Sequence, residues 1–241
     1  NLMELRAHDL AFSAAETAEL HRRRFAVDLD DGAVELLQRR TEGWPAAVHL
    51  AGVSLQETVD GSEFVARFAG DDRNVADFLM GEALERVSDR DREFLLRTSV
   101  LDELTGPLCD EVAGVTDGAA ILDRLERNGQ FVIPLDNTRH WYRYHRLFGD
   151  WLRHELRTTD QDLIPTLHLT AARWYAETGS LEPAVDHAIT AGDELLAARL
   201  IDRYLQDWAA VHWSRVWRWF HGLPEDAIRA FPMTALGSFN V

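Results

Sequence analysis

The chain contains no lysine: all 25 of its basic residues are arginine. A phosphate-binding loop needs Gly-Lys-Ser/Thr, a protein kinase needs its strand lysine, and Schiff-base chemistry needs an amine. None of these is complete within residues 1–241. Cysteine is nearly as scarce. Cys109 stands alone, which excludes an internal disulfide and a thiolate metal cluster built from this chain. No stretch approaches the ~18 apolar residues of a membrane helix, and Asn1-Leu2-Met3-Glu4-Leu5-Arg6 lacks the basic-then-apolar order of a secretion signal. The cytoplasm is the expected location, without membrane contact. Positive charge is short as well. Against 41 acidic residues the net charge is −16, which repels a phosphate backbone and argues against nucleic acid binding by this segment.

What is present is mostly helical pattern. Hydrophobic residues make up 46% of the chain, enough for the cores of two or three small domains. Ser13-Ala14-Ala15-Glu16 has capping-box form and predicts a helix towards Arg24. Asp30 or Asp31 caps a second helix, which stops at Gly43-Trp44-Pro45, where a third begins: glycine suits the residue after a helix and proline the first helical position. Further helices are expected over Phe64–Phe68 and Asn74–Val87. Then come Ser88–Ser99, Gly106–Ala113 and Asp117–Asn128, two strands at Phe131–Leu135 and His140–Tyr144, and a helix from His145 to Arg157. Pro134 cannot donate to a ladder, so its strand should lie at an edge. Three helices, a hairpin and a helix is the order of a winged-helix domain. From Pro165 onwards four helices, Leu167–Glu177, Leu181–Ala191, Asp193–Leu205 and Trp208–Phe220, are joined by short breaks, which makes them antiparallel pairs that must stack. Pro224-Glu225-Asp226 would start a further helix in a longer array. The expected fold is therefore mainly α, with a helical region over 1–87, a winged helix with one β-hairpin over 88–158, and repeats like those of tetratricopeptide proteins over 159–241.

Few constellations point to chemistry. Gly43-Trp44-Pro45 offers a close backbone approach and a proline ring that can pack on a flat base, although a helix boundary explains the same residues. His145 starts a helix where free amides and a ring nitrogen can meet an anion, with Arg143 and Arg146 on either side; a packed or capping histidine is the competing reading. Asp28-Leu29-Asp30-Asp31-Gly32 has its glycine one place early for a calcium loop and Arg39 where the bidentate acid belongs. It is read as a helix cap. No His-Glu-x-x-His pair and no nucleophile elbow is present, so the segment itself is not expected to be an enzyme. Trp213, Val216, Trp217 and Phe220 share helical spacing and are expected to form the packed face of their helix, with Trp219 pointing elsewhere.

Three blocks in one order, Thr41-Glu42-Gly43-Trp44-Pro45-Ala46, Phe94-Leu95-Leu96-Arg97-Thr98-Ser99-Val100-Leu101 and Tyr142-Arg143-Tyr144-His145-Arg146-Leu147-Phe148, resemble the large bacterial regulators of the maltose-activator type. These are signal-transduction ATPases that usually end in a LuxR-type DNA-binding domain. The resemblance spans roughly Leu5 to Asp202. It implies an ATP- or ADP-holding P-loop domain ahead of this segment, a helical lid carrying Gly43, Trp44 and Pro45 near adenine, and a winged-helix histidine, His145, that senses the phosphates. Ala47 stands where relatives commonly have glycine. The resemblance further implies that an inducer or regulatory protein binds the helical repeats, that the open form self-associates, and that the parent is a slow ATPase. A scaffold for protein interactions, or the same switch joined to a kinase or cyclase, remain alternatives. In the winged helix, Asp117, Asp123 and Glu126 offset Arg124 and Arg127 on the helix that reads DNA in other proteins of this fold, so an intramolecular clamp is expected instead.

Overall fold

The structure is a computed structural model and describes residues 10–56, 61–70, 72–79, 81, 87–129, 131–206 and 212–230. Among these, the helices and the single β-hairpin fall in the expected order. Ser13 and Glu16 form the capping box in full: the Ser13 amide donates to Glu16 Oε2 at 2.8 Å and the Glu16 amide to Ser13 Oγ at 3.3 Å. Helix α1 (Ala14–Leu20) then widens into a π-helical turn over His21–Phe25 that ends at left-handed Ala26. Asp30 accepts from the Ala33 amide and starts α2 (Asp31–Thr41). Helices α3 (Pro45–Gln56), α4 (Gly61–Arg67) and α5 (Arg73–Leu79) complete this N-terminal body around Leu37, Ala47, Ala51, Val65, Phe68, Val75 and Leu79, all buried. The helix expected over 74–87 is seen as α5, ending at Leu79; residues 80 and 82–86 lie outside the described ones.

The middle of the chain is three capped helices and a small sheet. Ser88 caps α6 (Asp89–Thr98), Thr105 caps α7 (Gly106–Ala113), and α8 (Gly118–Arg127) follows. Strands β1 (Val132–Pro134) and β2 (Tyr142–Tyr144) are antiparallel, with Val132 opposite Tyr144 and Pro134 opposite Tyr142. They are shorter than the five-residue runs expected, although single backbone bonds from the His145 amide to the Phe131 carbonyl and from the Leu135 amide to the Trp141 carbonyl extend the pairing at either end. Leu104 adds a third member. It exchanges both backbone hydrogen bonds with Tyr142, at 2.8 and 2.9 Å, so β2 is central and Pro134 sits on the outer edge as its missing donor requires. Helix α9 (Arg146–Thr159) buries Leu147, Phe148, Trp151, Leu152 and Leu156 on one side. The Tyr144 hydroxyl lies 2.7 Å from Thr98 Oγ1 in this core. Tyr144→Phe is expected to lower stability by about 1 kcal/mol in urea denaturation, since Thr98 keeps its bond to the Phe94 carbonyl and only the bridge is lost.

A short 3₁₀ turn leads into α10 (Ile164–Glu177), followed by α11 (Leu181–Thr190), α12 (Glu194–Tyr204), α13 (Trp213–His221) and α14 (Glu225–Arg229). Helix α11 packs on both α10 and α12, and α10 also packs on α7, tying the helical pairs to the winged helix. Small buried residues, Ala171, Ala172, Ala184, Ala188, Ala197 and Ala198, let these helices approach closely. The expected packed face of α13 needs a correction. Val216, Trp219 and Phe220 are buried, whereas Trp217 is 49% exposed. Steps of three and four from Val216 through Trp219 and Phe220 to Leu223 define the inner stripe. The Trp219 ring is tolerated inside because its Nε1 donates to Asp186 Oδ1 at 2.6 Å.

Candidate functional site

The α2–α3 junction is built to turn sharply. Glu42 and Gly43 both adopt positive φ, +51° and +70°. The Gly43 carbonyl accepts from the Phe12 amide at 2.7 Å, and a Cβ on Gly43 would overlap the Phe12 carbonyl and stand 2.8 Å from Gln38 Nε2. Only glycine fits there. Pro45, half-buried, opens α3 one residue beyond Trp44. The turn aims the Trp44 indole at three rings, edge-on to Phe131 at 5.0 Å, Phe78 at 5.4 Å and His145 at 5.5 Å between centroids. Two motif blocks far apart in sequence thereby meet.

His145 is held from both ends of its backbone and side chain. Its amide donates to the Phe131 carbonyl at 2.8 Å, and its Nε2 lies 3.2 Å from the Thr41 carbonyl, which also accepts from the Trp44 amide at 2.9 Å. A carbonyl can only accept, so Nε2 carries the proton and Nδ1 presents a bare lone pair. Nδ1 is buried without a hydrogen-bond partner. Burial is the main influence on this ring and holds its pKa below the ordinary histidine value, against the opposite pull of Glu42 and the Thr41 carbonyl. The side chain is thus a neutral imidazole, and the residue is only 8% exposed. The α2–α3 turn closes over the ring, with Thr41 and Trp44 beside it.

Next to this contact stands an ion pair that sequence reasoning did not single out. Both Glu42 oxygens face Arg143, at 2.7 and 2.6 Å, and Oε1 also accepts from the Arg146 amide in the first turn of α9, at 3.1 Å. Burial pushes the Glu42 carboxyl up, but Arg143 and the Arg146 amide outweigh it and hold the group below the usual carboxylate range. An open groove of about 420 Å³ runs alongside, lined by Glu42, Arg143, Arg146, Asp150 and Arg153 among others. The only advance signal was an acid in a Thr-Glu-Gly turn. Elsewhere in the winged helix, Arg124 pairs with Asp91, Arg127 with Asp123 at 3.0 Å and Arg139 with Glu126 at 3.3 Å, so the arginines near α8 are committed to carboxylates.

The chain is thus a winged helix whose wing strand and final helix contact a helical body, followed by stacked helical pairs. Residues 80–164 match the MalT winged helix domain. The chain is 31% identical over 238 residues to the HTH-type transcriptional regulator MalT of Yersinia pestis, covering 98% of this chain and 26% of that protein. It is 33% identical over 202 residues to the serine/threonine-protein kinase PknK of Mycobacterium tuberculosis, covering 84% of this chain and 18% of the kinase. The chain therefore spans about a quarter or less of the curated relatives it matches. It is a MalT-like segment. Among the described residues no helix is long and apolar enough to cross a membrane.

Proposed function

We propose that this segment is the regulatory middle of a cytoplasmic, nucleotide-switched transcriptional regulator of the signal-transduction ATPase class with a LuxR-type output. In this reading residues 1–87 are a lid, 88–158 the winged helix and 159–241 the first tetratricopeptide-like repeats of a sensor. A P-loop domain of the same protein holds ATP or ADP, making the parent a slow ATPase. Gly43, Trp44 and Pro45 lie towards the base and His145 towards the phosphates. The observation that supports the reading is the contact of Thr41 and Trp44 with His145, which lies 104 residues beyond Thr41.

In this reading His145 acts through its one N–H. A neutral imidazole has one N–H, here given to Thr41. A phosphate oxygen competes with that carbonyl for the same donor, and Thr41 keeps its bond to the Trp44 amide when it loses the histidine. ADP retention would then stabilise the closed form, while ATP together with an inducer on the repeats would favour an open, self-associating one. In the full-length protein, His145→Ala is expected to weaken ADP retention at least about tenfold and raise basal activity. Unchanged retention and unchanged basal activity would remove His145 from the site. The kinase relative supports a second reading, in which the same module governs a kinase rather than a DNA-binding output. The sequence flanking the segment discriminates between them.

A further inference from the structure

The junction between the N-terminal body and the wing is held by side chains of this chain itself. Glu42 belongs to the N-terminal body and Arg143 to the wing, 101 residues away, yet the carboxylate takes both guanidinium N–H groups and the first-turn amide of α9 as well. That arrangement is bidentate and places a negative charge at a helix N-terminus, two favourable features in one contact. It also needs an uncommon backbone: Glu42 holds φ +51°, a left-handed conformation that disfavours a side-chain-bearing residue by about 1 kcal/mol. Other conformations of this turn would carry the carboxylate away from Arg143. The two side chains remain 34% and 26% exposed, so the pair is reachable from the groove and not locked into a core. Around it, among the described residues, the junction also carries aromatic edges, the His145–Thr41 bond and the packing of α2, α5 and Gly70 against α9.

We infer that the Glu42–Arg143 pair is a latch that keeps the helical body closed on the winged helix in the absence of nucleotide. The latch extends the proposed switch but does not depend on it. Nucleotide exchange then acts on a junction already biased to the closed state, and opening requires the carboxylate to release both the guanidinium and the α9 amide.

Spin-label distance measurement on the nucleotide-free chain tests this. Cys109 is fully buried, and burial pushes its thiol far above the ordinary range, so labels go selectively to Ala15→Cys on α1 and Asn137→Cys at the wing, both exposed positions. The parent is expected to give one narrow distance. Arg143→Glu is expected to shift the closed-to-open ratio by on the order of tenfold, seen as a second, longer distance, and the Glu42→Arg, Arg143→Glu double variant to restore the narrow one. Should Arg143→Glu lose helix content, Arg143→Met decides, because it keeps the stem and removes only the donors. A single narrow distance in folded Arg143→Glu or Arg143→Met would overturn the latch. Because no nucleotide is in the sample, that result leaves the nucleotide reading standing, and unchanged ADP retention in His145→Ala leaves the latch standing.

Discussion

Adding one methyl group at Gly70 is expected to destabilise the protein by about 3 kcal/mol or more, or to lift the N-terminal body off α9. Gly70 lies between α4 and α5 and is pressed against the other body. A Cβ there would overlap the Leu147 carbonyl oxygen and stand 2.6 Å from the Trp151 amide nitrogen and 2.9 Å from the Leu147 carbonyl carbon. All three are main-chain atoms of a helix, so no rotamer change relieves the overlap. Overpacking a core usually costs about 1–3 kcal/mol when side chains can adjust; here the adjustment must be a displacement of α9 itself. Gly81, with nothing within 4 Å of its added Cβ, is the matched control and should tolerate alanine within about 0.5 kcal/mol. Urea denaturation of both variants decides the point. A Gly70→Ala midpoint equal to that of the parent would show that the two bodies are not in this close contact.

Stability is expected to fall steeply between pH 6.5 and pH 4 on account of two histidines that take no part in the candidate site. His168 of α10 and His187 of α11 place their Nδ1 atoms 2.7 Å apart, and His187 stacks on Tyr175. Burial, aided for His168 by its neighbour, pulls both down to about 4. Folded, the rings stay neutral; unfolded, they protonate near 6.5. The unfolded chain thus binds more protons across this window, and stability is intact above it and lost as pH drops through it. Each fully expressed shift corresponds to about 3 kcal/mol, and partial exposure together with the shared hydrogen bond reduces the pair's joint effect to roughly that same figure. Urea midpoints at pH 7.5 and 4.5 should differ by less in a His168→Gln, His187→Gln variant than in the parent, even though the variant starts lower. Parallel pH profiles would assign the acid sensitivity to other groups, among them buried His21 and His145, whose pKa values are also held down by burial.

Local chemistry made much of the fold legible from sequence. The capping box at Ser13, the cap expected at Asp30 or Asp31 and found at Asp30, and the Gly-Trp-Pro boundary each act within four residues, and each marks the helix end it announced. On α13, Val216 and Phe220 are buried and Trp213 packs on the core as expected, but Trp217 and Trp219 change places; aromatic size alone does not say which of the two faces in. The third strand position at Leu104 was invisible, since one bridging residue has no periodicity to detect. In the candidate site, Gly43, Trp44, Pro45 and His145 were legible as residue types. The partners that hold the arrangement were not. Glu42 meets Arg143, and His145 meets the Thr41 carbonyl, across more than a hundred positions, and a single sequence carries no signal at that range.

The central place of β2 sets a limit on how this wing can vary. Tyr142 and Tyr144 are buried on one face of the strand while Arg143 turns to the other and reaches Glu42. Three residues thereby serve two different neighbours by parity alone. Insertions at the hairpin tip, between Asp136 and Arg139, leave that parity untouched, so the wing can lengthen outward. Loss or gain of one residue at its base, between Tyr142 and His145, would exchange the two faces, sending an arginine into the core and a tyrosine towards the helical body.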